Sequence, residues 1–247
     1  MLLEQQRVHM ALCGSNTNEL IVFVHTPKIG GTSLHALLEK NYPEQGMLFR
    51  RGHRMTRVNC PLGFDIEDLY INEFIQSVKQ KPSLKYIGGH LPFGIHEYLD
   101  RPCVYITILR DPLSRVQSLF RHVLRCENDV IYDYWKKYYG FDCASILRDN
   151  DMRVCNDMIR MVTGGNLSSD YAVELLKTHY ACVGLLENIE SFVKILTDKF
   201  NWKHSVFPFL NKDETTQLSE EMEHLILNHN KLDDSVYQQI SHHLLNT

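Results

Sequence analysis

Lysine, glycine and hydroxyl residues lie close together in the segment PKIGGTSL, near the start of the chain. These residues are Lys28, Gly30, Gly31, Thr32 and Ser33. Glycines let a backbone approach a ligand closely, and the free N–H groups at the start of a helix attract anions. We therefore expect these residues to hold a phosphate group, with the lysine near a bridging oxygen. A plain glycine turn with a capping threonine and a solvated lysine is the alternative interpretation.

The lysine precedes the glycines, and this order separates the segment from the loops that bind nucleoside triphosphates. In those loops the glycines come first, and a Gly-Lys-Ser/Thr sequence closes the loop. The segment PKIGGTSL does not have that order. A nucleotide or small-molecule kinase is therefore the weaker interpretation, and a different phosphate compound is the expected ligand.

The segment YITILRDPLSRVQSLF contains a second pattern suited to anions. Arg110 follows an apolar run, and Asp111 and Pro112 open a helical pattern that carries Ser118. Proline suits the first turn of a helix, and arginine often binds phosphate through two parallel hydrogen bonds. The pattern predicts a second phosphate site formed by Arg110 and Ser118. The alternative is a surface ion pair between Arg110 and Asp111, with the serine facing water.

Two phosphate sites without an acidic metal-binding motif indicate one kind of donor, 3′-phosphoadenosine 5′-phosphosulfate (PAPS). Its phosphosulfate and its 3′-phosphate are the two groups that such sites require. Because a sulfuryl group carries less charge than a phosphoryl group, a lysine and backbone donors can stabilise the leaving phosphate without magnesium. The chain has 13 histidines but no H-x-x-x-H pair typical of zinc ligands. We expect PAPS as the co-substrate, PAP as the product and no metal.

These segments resemble those of the PAPS-dependent carbohydrate sulfotransferases. PKIGGTSL is similar to their 5′-phosphosulfate loop, and the stretch from Tyr105 to Ser118 is similar to their 3′-phosphate site. The resemblance continues through MRVCNDMIRMVTGG and VGLLENIESFVKIL and spans roughly residues 20–212. It implies an enzyme that moves a sulfuryl group from PAPS to an acceptor hydroxyl on a glycan. A non-catalytic protein that binds PAP on the same scaffold is a third interpretation.

Transfer to a hydroxyl requires a general base near Lys28. In the segment KYIGGHLPFG, His90 directly follows a predicted strand and two glycines, and histidine titrates close to neutral pH. The segment resembles the glycosaminoglycan 2-O-sulfotransferases, in which a histidine in a Gly-His segment is the proposed base, and this implies the same role for His90. A structural histidine that caps the strand end is the alternative. His25, in the strand before the first loop, is the second candidate, and we expect it to pack against or support the site.

Arginines concentrated in FRRGHRMTR predict a surface for an anionic sugar, because a guanidinium group can bind a carboxylate through two hydrogen bonds. The candidates are Arg50, Arg51, Arg54 and Arg57, with His53 beside them. A solvated loop is an equally good interpretation of this segment. Arg153 and Arg160 are further candidates for the acceptor cleft. Aromatic residues suited either to sugar stacking or to a core are Tyr132, Tyr134, Trp135, Tyr138 and Tyr139.

Short apolar runs predict the buried strands that would bring these residues together. They cover residues 20–24, 86–87 with their flanks, 104–109 and 181–186. Continuous apolar residues indicate strands covered on both faces. Helical patterns cover residues 34–42, 71–80, 113–124, 128–139, 150–163, 171–178, 189–196, 217–229 and 232–245. This alternation predicts a three-layer, P-loop-like α/β fold with a central, mainly parallel sheet flanked by helices, and a ligand site at the carboxyl ends of the strands.

The absence of repeats and linkers in the sequence predicts a single sulfotransferase domain over residues 1–247, with 1–18 as a flexible or peripheral N-terminal segment. The net charge of −4 offers no general attraction for nucleic acid. No apolar run approaches the length of about 18 residues that a membrane span requires. We therefore expect a soluble, cytoplasmic protein. The Golgi lumen is the alternative if an N-terminal anchor was removed.

Seven cysteines without a C-x-x-C pair predict free thiols rather than a disulfide framework. One bridge between Cys126 and Cys143 is the alternative.

Overall fold

A five-stranded sheet runs through the centre of the protein, and its strands pair in parallel. The computed structural model describes residues 19–49, 69–127, 130–210 and 218–246. The strands are β1 (Leu20–Val24), β2 (Gly46–Phe49), β3 (Tyr86–Gly89), β4 (Cys103–Leu109) and β5 (Tyr180–Leu185). Their order across the sheet is β2-β3-β1-β4-β5.

α-Helices connect these strands and cover the sheet. They are α1 (Gly31–Asn41), α2 (Leu69–Lys79), α3 (Pro112–Arg125), α4 (Val130–Tyr139), α5 (Cys143–Arg148), α6 (Asp157–Thr163), α7 (Ser169–Thr178), α8 (Ile189–Phe200), α9 (Glu220–His229) and α10 (Lys231–Leu245). Short 3₁₀ turns cover Ile95–Tyr98 and Leu186–Asn188.

Alternate residues of β1 face two different apolar cores. Leu20, Val22 and Val24 pack into one core, whereas Ile21 and Phe23 pack into the other. All five residues are buried, as expected for a central strand covered on both faces. Helices therefore form a layer on each side of the sheet, and the predicted three-layer α/β fold is confirmed.

Two local predictions require correction. β2 was not predicted: its apolar run is only three residues long, and it forms an edge strand in which Phe49 alone is buried. The continuous helix expected over residues 150–163 is wrong, because only α6 is helical there. Asn156 adopts a left-handed conformation with a φ of 51° and turns the chain just before α6 begins.

The starts of α6 and α10 cap each other. Asp233 accepts hydrogen bonds from the main-chain N–H groups of Met158 at 3.1 Å and Ile159 at 2.8 Å. In the opposite direction, Oδ1 of Asn156 accepts hydrogen bonds from the main-chain N–H groups of Leu232 at 3.0 Å and Asp233 at 3.2 Å. Each helix therefore satisfies donors that the other leaves unpaired, which fixes α10 against α6.

A buried arginine neutralises the carboxylates at this junction. Arg115 on α3 is fully buried, and its guanidinium lies 3.9 Å from both Asp157 and Asp233. It also donates a hydrogen bond from Nη2 to the main-chain oxygen of Val154. Because a buried charge without its partner is costly, the three charged groups depend on one another.

We predict that Asp233→Ala lowers the free energy of unfolding by about 3–5 kcal/mol, because it leaves the buried Arg115 without one of its two carboxylate partners and removes the cap of α6. Chemical denaturation measures this change. Asp234→Ala is the matched control, since this neighbouring carboxylate makes only a local contact with Gln238 among the described hydrogen bonds. Equal effects of the two substitutions would contradict the role given to the junction.

The described cysteines are free thiols: Cys103, Cys126, Cys143, Cys155 and Cys182. The Cys126–Cys143 bridge is therefore not formed. Among the described residues, no helix combines the length and the apolar character needed to cross a membrane.

Candidate active site

The candidate residues lie at the carboxyl ends of three neighbouring strands. β1 pairs with β3 on one side and with β4 on the other, so the loops after these strands emerge side by side. Lys28 lies in the loop after β1, His90 directly follows β3, and Arg110 directly follows β4. The fold therefore brings together three parts of the chain that are far apart in the sequence.

The loop after β1 holds its lysine in an unusual backbone conformation. Lys28 has a φ of 73° and Gly30 a φ of 84°, both in the left-handed region. This region suits glycine but costs about 1–2 kcal/mol for a residue that has a side chain. The buried side chain of Ile29 anchors the loop between them. No side chain caps the start of α1 at Gly30, so its N–H groups and dipole favour an anion there.

A hydrogen bond joins the two candidate phosphate loops directly. Nη1 of Arg110 donates to the main-chain oxygen of Lys28 over 2.9 Å. This bond stabilises the strained turn at Lys28 and brings two cationic residues to the same edge of the sheet. One ligand with two separate anionic groups can contact both loops only if the loops are adjacent. This hydrogen bond holds them next to each other.

The turn after β4 is fixed by Glu187, which no sequence pattern had indicated. Its Oε1 accepts a hydrogen bond from the main-chain N–H of Asp111 at 3.0 Å, and its Oε2 accepts one from the hydroxyl of Tyr237 at 3.1 Å. In the sequence, Glu187 directly follows the last predicted strand. A carboxylate at that position is the one sequence feature that could have identified it. Tyr237 lies on α10 and carries no such signal. The C-terminal helix is thereby connected to the Arg110 turn.

Three histidine rings cluster behind the loop after β1. The ring centroid of His25 lies 5.1 Å from that of His90 and 5.2 Å from that of His35, both in edge-to-face geometry. Burial is the main cause that holds the pKa of His25 well below its usual value, and the nearby charges of His90, His35 and Lys28 act in the same direction. His25 is therefore neutral at physiological pH.

Two glycines of the candidate site make room for these rings. A Cβ atom at Gly31 would lie 1.9 Å from Nε2 of His25, and a Cβ atom at Gly88 would lie 2.6 Å from Cε1 of His35. Neither glycine has a positive φ. The sequence pattern had predicted that Gly31 lets the backbone approach a phosphate, whereas the structure shows that a side chain here would displace a histidine.

The chain around His90 is held by main-chain contacts. The N–H of His90 donates to the oxygen of Phe49 on β2 over 3.3 Å. Gly89 has a φ of 111°, and a Cβ atom there would lie 1.9 Å from the same oxygen. The buried hydroxyl of Tyr105 accepts hydrogen bonds from two N–H groups further along the loop, at 3.2 and 3.1 Å. His90 therefore projects from a well-defined backbone.

The predicted hydroxyl ligands differ in their exposure. Thr32 is exposed in the first turn of α1. Ser33 is buried, and its hydroxyl accepts a hydrogen bond from the main-chain N–H of Leu210 at 3.3 Å. Ser118 is 1% exposed and lies within the packed face of α3. Thr32 is thus the most accessible of the three hydroxyls.

The predicted acceptor residues are only partly within the described structure. Arg50, Arg51, Arg54 and Arg57, together with His53, lie outside the described residues. Arg153 forms an ion pair with Asp151 and lies over the ring of Tyr134, 4.4 Å from its centroid. Arg160 donates from Nη2 to the main-chain oxygen of Cys155 at 3.3 Å.

The aromatic residues of α4 divide between core and surface. Trp135 is buried, and its Nε1 donates a hydrogen bond to Oδ2 of Asp151 at 3.0 Å. Tyr134 and Tyr138 are exposed, with ring centroids 4.7 Å apart. Of the aromatic residues proposed for sugar stacking, these two tyrosines are the ones that present large surfaces to solvent.

Within the described ranges, no group of three histidine, cysteine, aspartate or glutamate side chains is arranged to hold a metal ion. The histidine cluster therefore does not have the geometry of a metal site.

The fold can be compared with solved structures. A sulfotransferase from Alicyclobacillus acidocaldarius is similar over 92% of this chain and 97% of its own, with a TM-score of 0.49 and 14% sequence identity. No protein-family model and no curated protein matches the chain.

We predict that the free energy of unfolding falls as the pH decreases from about 7.5 to about 5.5. The unfolded chain protonates His25 below its ordinary pKa of about 6.5, whereas the folded protein does not, so low pH favours unfolding. His25→Phe removes this titration and should make the decrease smaller. Denaturation curves over the pH series measure both proteins, and identical slopes would show that His25 does not titrate in this way.

Proposed function

We propose that this protein is a PAPS-dependent sulfotransferase that moves a sulfuryl group to an acceptor hydroxyl, with a glycan as the acceptor. The observation that carries the proposal is the hydrogen bond of 2.9 Å between Nη1 of Arg110 and the main-chain oxygen of Lys28. This bond holds next to each other the two loops that are suited to phosphate groups. A donor with two separate phosphate positions requires that arrangement.

The first loop holds the 5′ end of the donor. Gly30 and the uncapped start of α1 offer main-chain N–H groups to the 5′-phosphate. Gly31 and Thr32 begin that helix, and the exposed Thr32 adds its hydroxyl. Lys28 neutralises the charge that develops on the bridging oxygen as the sulfur–oxygen bond breaks. Ser33 contributes mainly by fixing the loop, because its hydroxyl already bonds to Leu210.

The second loop holds the 3′-phosphate of the donor. Arg110 is the principal ligand, since a guanidinium group can donate to a phosphate while another of its N–H groups remains bonded to Lys28. Ser118 remains a predicted ligand, but because its side chain is only 1% exposed, the 3′-phosphate would have to enter the packed face of α3 to contact its hydroxyl.

The reaction is an in-line displacement at sulfur. The acceptor oxygen forms a bond to sulfur while the bond between sulfur and the 5′-phosphate oxygen breaks, and PAP leaves with that electron pair. His90 accepts the proton that the hydroxyl loses, a role that an imidazole nitrogen commonly takes in catalysis. Its position directly after β3, the strand that pairs with β1 and so ends next to the Lys28 loop, supports this role.

The acceptor is proposed to be an anionic glycan. The arginine-rich segment FRRGHRMTR directly follows β2, next to the strand that carries His90. Guanidinium groups in this segment would attract sugar carboxylates or sulfates. Arg153 and Arg160 are weaker candidates, because each already contacts its own neighbours.

Donor binding is tested by calorimetry with PAP. We predict that Arg110→Ala and Lys28→Ala each weaken PAP binding by about 10–100-fold, the loss expected for a hydrogen bond to a charged group. Lys40→Ala is the matched control, because this exposed lysine lies in the last turn of α1, and it should bind as the wild type does. Binding of ATP with magnesium in preference to PAP would contradict the proposal and favour a kinase.

The catalytic base is tested by transfer of labelled sulfate from PAPS to polysaccharides, phenols and small alcohols. We predict that His90→Ala reduces transfer by about 10²–10⁴-fold, the usual contribution of a general base, while PAP binding is retained. His224→Ala, an exposed histidine on α9, is the control. Full transfer by the His90 variant would remove its role, and PAP binding without transfer to any acceptor would indicate a non-catalytic protein.

A further inference from the structure

The histidine cluster gives His25 a more specific role than the supporting one expected from its position in the sequence. We propose that His25 is a positioning residue, whose ring holds the ring of His90 in the orientation from which it accepts the proton of the acceptor. This inference rests on the function proposed above for His90. It concerns packing between two rings rather than direct contact of His25 with a substrate.

The ring of His25 is held in place by its neighbours. Its ring stacks on that of Phe23, with an interplanar angle of 5° and centroids 5.4 Å apart. The absence of a side chain at Gly31 leaves the space that the ring fills. His35 meets it in edge-to-face geometry. A ring enclosed by an aromatic neighbour, a helix backbone and a second imidazole has little freedom to rotate.

Strand register brings His25 next to His90. Val24 on β1 pairs with Gly89 on β3, and the N–H of His25 donates to the oxygen of Gly89 over 3.2 Å. The two histidines therefore follow paired positions on neighbouring strands. Their rings meet at an angle of 84°, so the fixed ring of His25 restricts the rotation of His90.

The charge of His25 also matters for the base. The charged and titratable groups around His25 are Lys28 in its own loop, His35 on α1 and His90 after β3. A base at His90 becomes positively charged when it accepts a proton, and a second positive charge 5.1 Å away would oppose that. Because burial keeps His25 neutral, the positioning ring does not reduce the basicity of His90.

The test compares His25→Ala, which removes the ring, with His25→Phe, which keeps an aromatic ring of similar size. We expect His25→Ala to lower kcat by about 10–100-fold, the usual effect of misplacing a catalytic group, with little change in the KM for PAPS. His25→Phe should recover most of the lost activity. The pH at which kcat reaches half its maximum should stay the same in the Phe variant.

Two outcomes of this comparison would overturn the inference. Wild-type activity of His25→Ala would show that His90 needs no support. Equal losses in His25→Ala and His25→Phe would show that the nitrogens of His25 matter rather than the shape of its ring. Denaturation curves for both variants establish that the changes in kcat are measured on folded protein.

A second measurement does not depend on activity. Hydrogen–deuterium exchange at the C2 position of each histidine, followed by mass spectrometry, reports the accessibility and the titration of the His90 ring in the free protein. Exchange at His90 should become faster in His25→Ala and remain unchanged in His25→Phe. Unchanged exchange at His90 in both variants would overturn the positioning role. If the wild type transfers no sulfate, the proposed function fails, whereas the exchange result still decides whether His25 positions His90.

Discussion

Parallel pairing of β1 with β3 on one side and β4 on the other is the constraint on which the candidate site depends. In a parallel sheet every strand ends at the same edge, so the loops that follow the three strands converge. Lys28, His90 and Arg110 each lie within a few residues of such a strand end. The hydrogen bond between Arg110 and the main-chain oxygen of Lys28 then fixes the position of one loop relative to the other.

The glycines of the site serve different physical purposes. Gly30 adopts a left-handed conformation that other residues reach only with strain. Gly89 also has a positive φ, and a Cβ atom there would lie 1.9 Å from a main-chain oxygen of β2. Gly31 and Gly88 instead provide space for the rings of His25 and His35. A glycine-rich loop beside a phosphate site can therefore be shaped as much by side chains behind it as by the ligand in front of it.

The C-terminal helix supports the site from a distance. Tyr237 on α10 donates to Glu187, and Glu187 accepts from the main chain beside Arg110. The start of the same helix is fixed to α6 through Asp233 and Asn156. The position of the Arg110 turn is thus coupled to the packing of the last helix, although the two are more than 100 residues apart in sequence.

Most of the fold could be predicted from the apolar runs of the sequence. Strands buried on both faces need continuous hydrophobic residues, and such runs are visible without the structure. They also placed Lys28, His90 and Arg110 at strand ends. The edge strand β2 and the broken segment before α6 were not predictable in this way. The first is half-exposed, and the second is shaped by the side-chain contacts of Asp151 and the left-handed Asn156.

What the sequence by itself determined is the set of chemical groups and the class of fold that carries them. Only the tertiary structure decided which of these groups meet. Arg110 bonds to the main-chain oxygen of Lys28, and Glu187 with Tyr237 holds the turn beside Arg110. The ring of His25 fills the space beside Gly31 and contacts the ring of His90. The physical reason is that these contacts join residues on different strands and helices. Their distances are set by sheet register and helix packing, which no local pattern of residues encodes.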